Sequence, residues 1–177
     1  MINSSNVIRM LMLYFITTIV QIVILNNLTI INFANPQLYL LFLLSMPFGV
    51  GTIPMMLYGF ITGIVIDLFC DTPGMHAASC VLLAYVRRWV LMLLAYRDAY
   101  KPDDIPTFRL YGWGWYLKYI TILVTIHHIA LFFIEQYDML FLWPTLLRIL
   151  LSIVTTVLVI SIVQYILPFH NESGGTA

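Results

Sequence analysis

The chain has 177 residues, of which 62% are hydrophobic and 9% charged, and its eight Lys and Arg balance eight Asp and Glu to a net charge of zero. A soluble domain of that size needs far more polar surface to cover its core, so the composition excludes an aqueous globular enzyme and makes a bilayer the expected solvent. The charge balance argues against nucleic acid as a partner, because a phosphate backbone calls for an excess of cations.

Strand barrels in membranes alternate apolar and polar residues. Residues 7–25 and 152–167 are instead nearly continuous apolar runs, which points to helices. A spanning helix takes about 20 apolar residues at ~1.5 Å rise each, so the length holds about six with short connections. The expectation is an all-α integral membrane protein: a single transmembrane domain over 1–177, built as a compact bundle of six transmembrane helices.

In chain order, spans are expected at 7–25, 36–50, 52–70, 75–96, 115–134 and 142–167. Residues 1–9 run into the first apolar stretch without a small-residue cleavage site, which reads as a retained helix rather than a removed signal peptide. Asn26 and Asn27 end that span, Asn35-Pro36 opens the second, and the stretch from Pro47 to Pro54 separates the second from the third. The second span is the short one: as a helix, residues 36–47 reach only about 18 Å, so a re-entrant path is the alternative to a full crossing.

Arg9, Arg97, Lys101, Arg109 and Lys118 flank the connections that six spans bring to one side, while the stretches near 26–35, 71–74 and 135–141 carry no Lys or Arg. The positive-inside rule then places both termini in the cytoplasm. The long connection at 96–114 is expected there too, as a solvated connector or a docking site for a cytoplasmic partner. Its exit, Tyr111-Gly-Trp-Gly-Trp-Tyr116, suggests an interfacial aromatic belt.

Several side chains stand out against this apolar background. Asp67 lies inside the third span near its outer end, where a carboxylate must be paired, hydrated or neutralised. Arg148 enters the sixth span at a similar depth, so an Asp67–Arg148 ion pair between those helices is expected, chiefly structural. Gly59 and Gly63 form a GxxxG face that admits a close neighbouring backbone, read as internal packing rather than a dimer interface. Asp71 or Thr72 can cap the helix that follows the Asp71-Thr-Pro73-Gly74 turn, and His76 opens that helix.

Arg87 and Arg88 are placed to snorkel toward cytoplasmic headgroups. His127 and His128 project about 100° apart, which suits helix-to-helix hydrogen bonds better than metal chelation. Cys70 and Cys80, the only cysteines, read as two small hydrophobes in preference to a bridge. No nucleophile elbow, zinc signature or phosphate loop occurs, so neither catalysis nor a cofactor or metal is expected.

The stretch Tyr58-Gly-Phe-Ile-Thr-Gly-Ile-Val-Ile-Asp67-Leu-Phe-Cys-Asp-Thr-Pro-Gly-Met-His76-Ala, followed by Leu82-Leu-Ala-Tyr-Val-Arg87, resembles the rod-shape-determining protein family MreD. It shares the glycine-punctuated helix, the intramembrane aspartate, the Thr-Pro turn, the histidine that opens the next helix and the arginine near its inner end. The match covers about 30 residues; elsewhere the likeness is one of hydropathy.

The resemblance implies a non-enzymatic scaffold in the bacterial inner membrane, serving the machinery that elongates the cell wall. Its partners would be the single-span periplasmic protein MreC, the actin-like MreB, the elongation polymerase and transpeptidase, and membrane lipid. The platform for a partner is expected over 59–76. That family is similar in fold to the substrate-binding subunits of energy-coupling-factor vitamin transporters, which supplies the alternative function. Those subunits carry an alanine-spaced patch on the first helix, whereas residues 7–25 here contain no alanine.

Overall fold

The computed structural model describes residues 4–27, 34–95, 100–135 and 142–167. These form α1 (Ser4–Val20), continued by a π-helical turn over Gln21–Leu25, then α2 (Leu40–Leu44), α3 (Thr52–Cys70), α4 (Met75–Leu94), α5 (Phe108–Glu135) and α6 (Leu142–Ile166). Among the described residues five helical segments are long and apolar enough to cross a membrane: Val7–Leu25, Thr52–Cys70, Met75–Leu94, Phe108–Glu135 and Trp143–Ile166.

Their outward faces carry large apolar side chains, with Ile53 81%, Leu93 76% and Leu68 74% exposed. Such a continuous apolar surface is tolerable only in lipid. The protein is therefore an α-helical, multi-pass membrane protein.

The expected helical span at 36–50 is corrected. Only Leu40–Leu44 is α-helical there, and residues 34–37 are outside any helix. Proline is the local reason: Pro36 pushes Asn35 toward extended backbone, and Pro47 lacks the amide a continuing helix would need.

Leaving the helix also lengthens the path a chain can take. Four residues at up to ~3.3 Å and nine at ~1.5–2 Å can reach up to roughly 30 Å, where a helix of the same composition falls short. The segment runs lengthwise through the bundle. Its start meets Gln21 and its end meets Arg87 and Tyr119, and Tyr39, Leu40, Leu41 and Leu43 have no exposed surface.

Irregular backbone at this depth is stable only when its polar groups find partners inside the protein. Here the neighbouring helices supply them with side chains. The amide of Asn35 donates to Ser152 Oγ at 3.0 Å and that of Gln37 to Thr156 Oγ1 at 3.0 Å. Gln21 serves two groups, accepting from the Leu38 amide at 2.6 Å and donating to the Pro36 carbonyl at 3.1 Å. At the far end the Leu44 carbonyl accepts from the Tyr119 hydroxyl at 3.0 Å, and the Met46 carbonyl accepts from Arg87 Nη2.

The α3–α4 hairpin is built differently. A Cβ on Gly63 would lie 2.3 Å from Ala77 Cα, and one on Gly59 2.8 Å from the Cys80 carbonyl oxygen. The glycine face thus serves internal packing of α3 on α4, as the sequence predicts, with each backbone filling the space a side chain would take.

α5 begins earlier than its expected start at 115. Gly112, at φ 79° and ψ 159°, breaks its first turn from the continuous helix, a conformation that favours glycine. The expected aromatic belt is only partly interfacial. Trp113 is exposed, but Tyr116 is buried and donates to Gln164 Oε1.

Candidate functional site

The turn between α3 and α4 gathers most of the polar residues singled out in the sequence. α3 ends on Asp71, whose φ of 53° is left-handed, a conformation Asp tolerates better than most side chains. Gly74, at φ 81°, starts α4. Pro73 is exposed between them. This tight reversal returns the chain so that the first amides of α4 point at the last turn of α3.

Asp67 meets them. Its Oδ1 accepts from the His76 amide at 3.0 Å and its Oδ2 from the Ala77 amide at 3.0 Å. The carboxylate of one helix thus caps the next, satisfying two of the amides that every helix start leaves open and placing negative charge at the positive end of α4. The Thr72 hydroxyl donates to Oδ1 at 2.8 Å, and His76 Nδ1 lies 3.0 Å from the same oxygen.

Two expectations are corrected by this geometry. The expected cap from Asp71 or Thr72 is provided by Asp67, and the expected Asp67–Arg148 pair does not form. Arg148 Nη1 instead bonds Glu135 Oε1 at 2.9 Å, and its guanidinium stands 4.6 Å from the centre of the Phe132 ring. The physical reason is proximity: the start of α4 lies within reach of Asp67 and already gives both carboxylate oxygens donors. Arg148 finds a carboxylate at the end of the helix that precedes its own.

Arg87 also departs from its expected role. It is buried, 3% exposed, and donates through Nε to the Tyr119 hydroxyl at 2.9 Å as well as through Nη2 to Met46. It holds the end of the interior segment rather than snorkelling. Arg88 is exposed.

His128 makes the expected helix-to-helix contact, to α6, whereas His127 contacts the non-helical start of the interior segment. His127 Nε2 lies 3.1 Å from the Tyr39 hydroxyl, and His128 Nε2 lies 3.2 Å from Thr156 Oγ1. Cys70 and Cys80 are unbridged.

Beside the turn is a cavity of about 550 Å³, lined among others by Gln21, Asn26, Asn35, Gln37, His76 and Arg148. With its amide oxygen turned to the guanidinium, Asn35 accepts from Arg148 Nη2 at 2.8 Å. Gln37 and His76 are each 6% exposed. Among the described residues the Gln37 side-chain amide and His76 Nε2 have no hydrogen-bond partner, and both residues border this space. It is a polar pocket able to hold a small hydrogen-bonding molecule. Sequence reasoning missed Gln37 and also Gln21, though a glutamine within an apolar run carries the same signal as Asp67: a polar group that needs a partner.

At the opposite end, Phe48, Tyr100, Tyr111 and Trp115 pack as one aromatic cluster, with Phe48 and Tyr100 stacked at 4.4 Å. The Phe48 amide donates to the Asp104 carbonyl at 3.1 Å, tying part of the expected polar connector onto the bundle. Burial raises the pKa of the Tyr100 hydroxyl, which stays a donor to the Leu91 carbonyl at 3.2 Å.

Among the described residues no group of three or more His, Cys, Asp or Glu could hold a metal ion. No protein-family model, no curated protein and no solved structure matches the chain.

Proposed function

We propose that the chain is a non-enzymatic scaffold subunit of the bacterial cell-wall elongation machinery. In this reading it crosses the cytoplasmic membrane six times, counting the interior segment at 34–46, with both termini in the cytoplasm and the Asp67 end outward. Its partner there is an MreC-like single-span periplasmic protein. MreB, the polymerase and the transpeptidase are further members of the same assembly.

The observation that carries this reading is the closed bonding of the Asp67 turn. Asp67 directs both oxygens to Thr72, His76 and Ala77. The carboxylate is thereby tied up as a structural cap, and the turn is a stiff presenting surface. Asp67, the Thr72-Pro73 turn and His76, which form part of it, are among the residues on which the resemblance to MreD rests.

One observation favours the alternative, a substrate-binding subunit of a vitamin-type transporter: the polar cavity beside the turn, with the Gln37 amide and His76 Nε2 at its wall. Capture of the tagged native protein in mild detergent separates the two, with co-purifying proteins and extracted small molecules identified from one sample. The scaffold reading expects a single-span periplasmic protein and wall-synthesis enzymes without a stoichiometric ligand. A bound vitamin-like molecule or an ATPase-linked coupling subunit would overturn it.

A further inference from the structure

A second cavity, of about 470 Å³, opens at the other end of the α3–α4 hairpin. The two helices touch backbone to backbone at Gly63 and Gly59. From there they separate toward the start of α3 and the end of α4, and the 48–51 turn and Tyr100-Pro102 close the gap between them. The resulting groove has apolar walls, including Val50, Met55, Leu91 and Met92, and among the described residues its charged lining consists of Arg87 and Arg88.

The two arginines differ. Arg87 is turned inward, bonded to Tyr119 and to the Met46 carbonyl. Arg88 is exposed and has no carboxylate partner among the described residues. The nearby Asp104 carboxylate accepts from the Tyr111 hydroxyl at 3.0 Å and does not line the groove. Among the described residues no acidic side chain in the lining offsets the positive charge.

We propose that this groove is a binding site for one anionic phospholipid, its phosphate on Arg88 and one acyl chain between α3 and α4. An apolar slot with an unpaired guanidinium at its edge complements a molecule that is anionic at one end and hydrocarbon at the other. Arginine suits the phosphate because its planar fork can present two donors to two oxygens. A neutral zwitterionic lipid fits the slot equally well but brings its own cation to the guanidinium, so the site discriminates by charge. The proposal stands independently of the scaffold reading, because it concerns the opposite end of the hairpin.

The test is native mass spectrometry of the full chain in mild detergent, delipidated and then titrated separately with dioleoylphosphatidylglycerol and dioleoylphosphatidylcholine. The expected result is one phosphatidylglycerol retained per chain, with phosphatidylcholine held about tenfold more weakly. Arg88→Gln should cost about tenfold in phosphatidylglycerol affinity by removing the charge-assisted contact. Ala95→Trp, at the exposed rim of the groove, should block both lipids.

Equal retention of the two lipids by the unaltered chain overturns the proposal, whatever the variants do. So does unchanged binding in both variants, or displacement of bound lipid by an equal concentration of inorganic phosphate, which would mark a site for a free anion.

Discussion

The α3–α4 hairpin and the segment at 34–46 solve the same problem in opposite ways. Both must bury backbone where water is absent. The hairpin does so within itself: its helices bond internally, its glycines bring the backbones together, and Asp67 closes the start of α4 from one turn away. The interior segment depends on side chains from the π-helical turn after α1 and from α4, α5 and α6. Polar residues inside membrane helices are commonly read as functional. In this protein several of them exist to complete the backbone of a neighbour.

The sharpest way to break the hairpin is Gly63→Leu. A side chain there meets Ala77 backbone at 2.3 Å, which cannot move aside as a flexible side chain would. The expected loss is about 3 kcal/mol or more, seen as failure to refold or a collapsed thermal midpoint in detergent. Retention of wild-type stability would mean that the two helices are not in backbone contact.

Asp67→Ala comes next. It leaves the His76 and Ala77 amides without acceptors, at a cost of about 2–4 kcal/mol, whereas Asp67→Asn keeps acceptor capacity and should lose about half as much. Unfolding titrations in mixed micelles measure the difference. Equal losses in the two variants would show that charge, rather than capping, is what the turn needs.

The interior segment should show milder losses and stronger coupling. Gln21→Leu strands the Leu38 amide and the Pro36 carbonyl, for about 2 kcal/mol, and Thr156→Val strands the Gln37 amide, for about 1 kcal/mol. Both side chains hold one short stretch, so the double variant should deviate from additivity by more than about 0.5 kcal/mol. Asp67→Ala combined with Thr156→Val should add, because no bonded group is shared between them. Additivity in both pairs would dissolve the contrast between the two regions.

The smallest effect belongs to the Arg148–Glu135 pair. Its side chains are 33% and 38% exposed, and such pairs contribute about 0–1 kcal/mol. Glu135→Gln should therefore leave the unfolding curve nearly unchanged.

How much of this was legible in the sequence depends on which physical signal each region carries. The limits of α3 agree with the predicted 52–70 because Gly51 precedes its start and the Asp71-Thr-Pro-Gly turn stops it. Periodicity could not separate helix from buried extended chain over 36–47, since a run apolar on every side looks the same in either form.

Asp67 was visible as a carboxylate out of place, but the two donors it caps are backbone amides, which leave no mark in a sequence. Arg87 carried a usable signal. At helical spacing it continues the stripe of Cys80, Leu83 and Ala84, all buried, whereas Arg88 lies about 100° away on the outward side. The registry of that stripe predicts an inward arginine better than its distance from the helix end predicts a snorkelling one. Ser152 and Thr156 likewise sit four apart on one face of α6, turned toward a neighbour that hydropathy alone does not reveal.

The bonds from Asn35 and Gln37 to Ser152 and Thr156 span 117 and 119 residues of chain. During synthesis the amides therefore leave the ribosome long before their acceptors exist. The hairpin closes over intervals of 9 and 10 residues and can settle in the bilayer while translation continues. The segment at 34–46 has to wait for α6, so a chain cut short before Ser152 would enter the membrane carrying exposed peptide groups, a mark by which such a product differs from one that includes α6.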